Sequence, residues 1–205
     1  LDDLVRAGKV LYLGCSNYQA WTMARAITLA EARGWNRFVS LQPQYNLLVR
    51  SIEREHFAAC RELGIGILPW SPLAAGLLTG KITREHRPTE ARLGQREIPI
   101  YRLYFTERAF RIVDELAACA KEMDTAPAAL AIAWQLAKPE ITSVILGARS
   151  IEQLDGTMAA TALEVPSTIQ ARLDAATEPE PEYPNVMIDW IQGQLDPAAR
   201  RPKKA

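Results

Sequence analysis

The residues with most chemistry to offer stand where apolar runs end. Ser16 and Asn17 follow "VLYLGC", Gln42 lies in "RFVSLQPQYN", Trp70 and Ser71 follow "GIGILP", and Gly147, Ala148 and Arg149 close "ITSVILGAR". Two hydroxyls, two amides and an indole are thus carried at strand ends. In parallel α/β folds that edge is where ligands bind. The stretch "WSPLAAGLLTGK", Trp70 to Lys81, is bulkier than a simple turn needs. It offers a flat aromatic surface with a positive charge close behind. It is not a phosphate loop, because Ala75 stands where the first glycine belongs and Ile82 where Ser or Thr belongs. Residue type alone leaves plainer roles open. Ser16 and Asn17 are good helix caps, Gln42 fits as a core amide, Trp70 as packing, and Lys81, Arg92 and Arg149 as solvated charge.

Regular elements must position these groups. Strands are predicted over 10–15, in 37–46, over 65–70 and over 141–148. Helices are predicted in the opening segment, with Gly8 as its cap, and then over 20–34, 51–64, 106–123, 126–138, 150–163 and 167–177. Ser51 is the expected N-cap of the third and Pro127 sits in the first turn of the fifth. Asp2 and Asp3 are expected to be solvated, and His56 and His86 exposed. The strands read as continuous apolar runs, which predicts a parallel sheet with helices over it. A closed eight-stranded barrel takes about 250 residues, so four strands imply a small open sheet or half a barrel. The helical start favours the half barrel and a longer parent polypeptide. The tail from Glu178 is rich in proline and ends in "RRPKKA", which predicts mobility.

Composition narrows the classes. The chain has 205 residues, 48% hydrophobic and 23% charged, with 24 basic and 24 acidic residues. Zero net charge argues against a general nucleic-acid or anionic-membrane binder. No apolar run is long enough to span a bilayer. Cys15, Cys60 and Cys119 are widely spaced and form no metal-type pair, which points to a reducing cytoplasm.

The segments "GKVLYLGCSNY", "LQPQYNLL", "WSPLAAGLLTGK", "TAPAALAIAW" and "VILGARSIEQLDG" occur in the order and spacing of aldo-keto reductases. The chain resembles that family over nearly its whole length, most of all the bacterial reductases related to potassium-channel β subunits. The resemblance implies an α/β fold, a (β/α)8 TIM barrel, of which residues 1–177 resemble the C-terminal half with about four parallel strands, followed by the tail 178–205. It implies NADP(H) as cofactor, a small-molecule carbonyl substrate, and no metal.

The resemblance also assigns positions. Ser16, Asn17 and Gln42 match residues that bond the nicotinamide carboxamide, and Trp70 matches the aromatic on which that ring stacks. Ser71, Pro72, Leu73 and Ala74 match the turn around the ribose and pyrophosphate. Lys81 matches a pyrophosphate lysine, and Arg92 an arginine of a loop that closes over the cofactor. Gly147, Ala148 and Arg149 match the segment at the adenosine 2′-phosphate, where a guanidinium favours NADP over NAD. Gln153 and Thr157 fall on adenine-side positions. Here Gly156 and Thr157 replace the family's usual acidic residue and asparagine, and Leu11 replaces a frequent basic residue. The family's Asp, Tyr, Lys and His catalytic set belongs to the half this chain does not match, so no catalytic residue is expected in it. The segment after Lys81 and the tail are expected at the substrate mouth, with Trp190 either touching the substrate or packing in the core. The alternatives are a non-catalytic NADP(H)-sensing module, an inactive remnant with open sheet edges, and an unrelated phosphate-binding barrel half.

Overall fold

The structure, a computed structural model, describes residues 1–84 and 104–195. Helix α1 (Asp2–Arg6) leads to β1 (Leu13–Ser16), α2 (Ala20–Ala32), β2 (Phe38–Gln42), α3 (His56–Leu63) and β3 (Gly66–Ile67). Helices α4 (Glu107–Glu122), α5 (Pro127–Leu136), α6 (Ile151–Met158), α7 (Ser167–Ala176) and α8 (Asn185–Leu195) follow. The three strands are parallel, in the order β1-β2-β3, with Ser16 paired to Gln42 and Leu41 to Ile67.

Local chemistry sets the helix ends. The Thr106 side chain accepts the Ala109 N–H at the start of α4. Pro127 opens α5, where a missing N–H costs nothing. Gly64 ends α3 at φ 62, and the Ile65 N–H closes back on the Cys60 carbonyl at 2.8 Å. On α4 the buried residues Ala109, Ile112, Val113, Leu116 and Ala120 recur at helical spacing, so one face meets the core. α5 is buried from Ala129 to Gln135, which makes it the central helix. Leu41, Ile67, Leu77, Leu116 and Trp134 are fully buried in one cluster with it.

The fold departs from expectation in several places. Among the described residues the sheet has three strands, and the predicted fourth runs beside β3 through one bridge, Ile67 to Ile141. Thr142 N–H donates to the Ile67 carbonyl at 3.0 Å and Ile145 N–H to that of Pro69 at 2.9 Å. Pro69 has no N–H to give back, so the ladder loses a rung there. β1 begins at Leu13 rather than Val10. It is also not buried on both faces: Leu13 and Cys15 are buried while Gly14 and Ser16 are exposed. The open face is tight all the same. A Cβ on Gly14 would lie 2.5 Å from Ser40 Oγ, and one on Gly66 2.9 Å from Thr142 Oγ1.

Ser51 caps no helix. Ser51–Glu53 is a 3-10 turn and α3 starts at His56. The Glu53 carboxylate is drawn inward by Arg50 at 2.8 Å and by the Tyr45 hydroxyl at 2.5 Å, which holds the turn apart from the helix. His56 is half-buried rather than exposed, with Nε2 2.9 Å from the Tyr18 carbonyl. Asp2 is an anchor rather than a solvated charge: one carboxylate oxygen accepts the Asn36 backbone and side-chain N–H groups at 2.7 Å, and the other accepts Arg6 Nε at 2.5 Å. Within the tail, α8 forms once Pro179, Pro181 and Pro184 have passed. Among the described residues no helix is long and apolar enough to cross a membrane.

Candidate functional site

The parallel register brings three predicted strand ends to one edge. Ser16 is opposite Gln42, and its hydroxyl donates to the Gln42 carbonyl at 2.9 Å. The Asn17 N–H reaches the same carbonyl at 3.2 Å. Beyond Gln42 the chain keeps its parallel course, so Gln44 bridges Trp70 and the Trp70 N–H donates to Pro43 O at 2.9 Å. This sets the indole beside β1. Trp70 Nε1 donates to Asn17 Oδ1 at 2.9 Å. Asn17 sits at φ 56, a left-handed position that asparagine tolerates better than most residues. Ser16, Asn17, Gln42 and Trp70 are thus one cluster. Ser16, Asn17 and Gln42 are exposed and Trp70 half-exposed, so the group is open to a ligand.

After Trp70 the backbone is strained. Ser71 (φ 57), Ala74 (φ 48) and Ala75 (φ 55) are all left-handed without being glycine, and Gly76 follows at φ 106. Each such residue costs on the order of 1 kcal/mol or more. The turn is held from inside itself and from the core. Ser71 O accepts the Ala74 N–H at 3.0 Å, and Ser71 Oγ accepts the Ala75 N–H at 3.3 Å. Asn46 Nδ2 donates to Ser71 O at 2.9 Å, and Gln135 Nε2 to Pro72 O at 3.1 Å. Leu73 is half-buried and Ala74, Leu77 and Leu78 are buried, so the kinked turn Ala74–Thr79, non-helical at Ala75 and Gly76, is pinned to the core. Lys81 follows Gly80 and is exposed.

Gly147, Ala148 and Arg149 are exposed where the segment paired with β3 reaches α6. Ser150 caps that helix by accepting the Gln153 N–H at 3.2 Å, and the Gln153 side chain accepts the Arg149 N–H at 3.0 Å. Thr157 is buried, and its hydroxyl donates to the carbonyls of Gln153 and Leu154 in its own helix. Arg92 lies outside the described residues, as does His86.

Sequence reasoning passed over Asn46 and Gln135. Gln135 left a trace, as the one amide in the otherwise apolar helix "AALAIAWQL". Asn46 had none, because its role depends on a chain segment 25 positions away. Tyr45 is no candidate acid. Burial, and then the neighbouring Glu53 carboxylate, push its phenol far up from the ordinary value.

The profile of the aldo/keto reductase family matches residues 1–178. The chain belongs to the aldo/keto reductase family. It is 36% identical over 173 residues to the uncharacterized oxidoreductase YrpG of Bacillus subtilis, covering 84% of this chain and 51% of that protein. It is 32% identical to an aldo-keto reductase of Fusarium vanettenii, over 88% of this chain and 48% of the relative. It is 30% identical to the versiconal hemiacetal acetate reductase of Aspergillus parasiticus, over 83% of this chain and 49% of the relative. The chain therefore spans about half the length of these aldo/keto reductases and oxidoreductases. A three-stranded parallel sheet with helices is consistent with part of the family's barrel.

Proposed function

We propose that this chain forms the cofactor-binding side of an NADP(H)-dependent aldo-keto reductase that converts aldehydes or ketones to alcohols. The observation that carries the reading is the Trp70 indole, pinned at its edge by Asn17 at the strand ends. Edge pinning leaves the ring plane fixed, which suits stacking by a flat nicotinamide. Asn17 gives its oxygen to Trp70 and keeps its NH₂ for the carboxamide oxygen. Ser16 and Gln42 supply the remaining polar partners. Such bonds select which ring face meets the substrate.

Ser71, Pro72, Leu73 and Ala74 wrap the ribose and pyrophosphate, with Lys81 as counter-charge and Arg92 in the loop that closes over them. Gly147 and Ala148 leave room beside Arg149, whose guanidinium pairs with the 2′-phosphate. The turn into α6, with Gln153, forms the adenine side, and Thr157, buried with its hydroxyl bonded inside the helix, supports it from behind. When bound, the cofactor supplies hydride to the carbonyl carbon. This chain orients and holds it. The proton for the carbonyl oxygen comes from the barrel half outside this chain, and we assign no catalytic residue here. The setting is the reducing cytoplasm.

The test is a titration of the purified chain with NADPH, read by energy transfer from tryptophan to the reduced nicotinamide. Saturable transfer is expected, with affinity about tenfold weaker in Trp70→Ala. Equal affinity in that variant would sink the stacking role.

A further inference from the structure

The turn after Trp70 holds three left-handed non-glycine residues, and such strain persists only where the surroundings over-determine it. Two buried amides supply that restraint. Asn46 is 0% exposed and donates to Ser71 O. Gln135 is 0% exposed and donates to Pro72 O, the next carbonyl along. They come from different elements, the stretch after β2 and the central helix α5. We propose that Asn46 and Gln135 are positioning residues that lock the Ser71 and Pro72 carbonyls toward the core and so fix the shape of the turn. This rests on the reading that the turn receives an anionic nucleotide.

The two amides do different amounts of other work. Asn46 Oδ1 also accepts the N–H groups of Leu48 and Val49, at 2.9 and 3.1 Å, so half of it organises its own loop. Gln135 Nε2 reaches the Ala131 carbonyl as well, at 3.1 Å, but its Oε1 is buried without a partner among the described residues. An orphaned buried acceptor is unfavourable. A methionine would fill similar space without it. What the amide offers in return is its donor end, aimed at the turn. The consequence is electrostatic. Carbonyl oxygens held inward cannot face a phosphate, whereas a flipped peptide would set its negative end against one.

The experiment compares amide hydrogen exchange and NADPH affinity in the full chain and in Asn46→Asp and Gln135→Met. The aspartate keeps an acceptor for Leu48 and Val49, but in place of the donor it sets a buried carboxylate oxygen against the Ser71 carbonyl. The methionine removes donor and orphan together. Exchange in 71–80 is expected to quicken about tenfold in both, with α4 unchanged. NADPH affinity is expected to fall about tenfold, and the urea midpoint of Gln135→Met to hold or rise. Unchanged exchange in 71–80, or a rise spread over all helices, overturns the proposal. If the unaltered chain does not bind NADPH while exchange still quickens only in 71–80, the lock stands and the nucleotide reading falls.

Discussion

Trp70 makes a hydrogen bond at its edge, and that bond separates two ways of damaging the site. Trp70→Phe keeps an aromatic face but loses the bond to Asn17. Its NADPH affinity should fall only a few-fold, against about tenfold for Trp70→Ala, because stacking area outweighs one exposed hydrogen bond. A fluorescence titration of both variants checks the order. Arg149 is predicted to set cofactor preference. Arg149→Ala should weaken NADPH about tenfold and leave NADH nearly unchanged, since only NADPH carries the 2′-phosphate. Competition between the two cofactors measures the ratio. Much of this cluster was legible in the sequence. Ser16, Asn17, Gln42 and Trp70 all stand at strand ends, and strand ends can be read from apolar runs. The anchoring of Asn17 to Trp70, across 53 positions, could not be read that way.

Elements are tied by charged groups that composition alone presents as surface. Arg50 donates twice to Glu53 at 2.8 Å, and also to the Asp174 carbonyl and the Thr177 hydroxyl, at 2.9 and 2.7 Å. It lies over the Trp134 ring as well. This joins α7 to the turn before α3. Arg50→Ala should cost about 3 kcal/mol, because a partly buried Glu53 loses its partner. Urea unfolding measures it. At the other end Asp2 clasps α1 to Asn36, and the Asn36 backbone N–H, then Arg6, hold its carboxyl down at about 2 from an ordinary 3.8. A depressed acid stabilises the fold above its unfolded pKa, so this contribution is complete above about pH 4 and fades toward pH 2. Asp2→Asn should flatten the fall of the urea midpoint in that window. Most helices were legible because periodicity, Pro127 and the glycine stops mark them, but α8 forms in a tail whose prolines predicted mobility. The reduction of the predicted fourth strand to a single bridge was not legible, because it turns on Pro69 breaking a ladder between segments distant in sequence. The 3-10 turn at Ser51 was hidden for a similar reason, since a partly buried ion pair overrides a local cap.

At the scale of the whole molecule, the described residues give a helix-backed parallel sheet in a chain that spans about half the length of the relatives it matches. The three cysteines are free and buried, and burial pushes the Cys60 thiol up to about 11. Thiol reagents should therefore find almost nothing in the folded chain at neutral pH and three groups in denaturant. Fast labelling in native buffer would mean the core is not closed as described. The alternation "LGCS" already held the sign of an open face, with small or polar residues at every second position. The central claim is that one sheet edge of this chain is shaped for NADP(H). Calorimetric titration of the folded chain with NADPH and with NADH tests it most directly. One saturable site, at least about tenfold tighter for NADPH, is the predicted result. A chain that stays folded by circular dichroism yet gives no saturable heat with NADPH would contradict it.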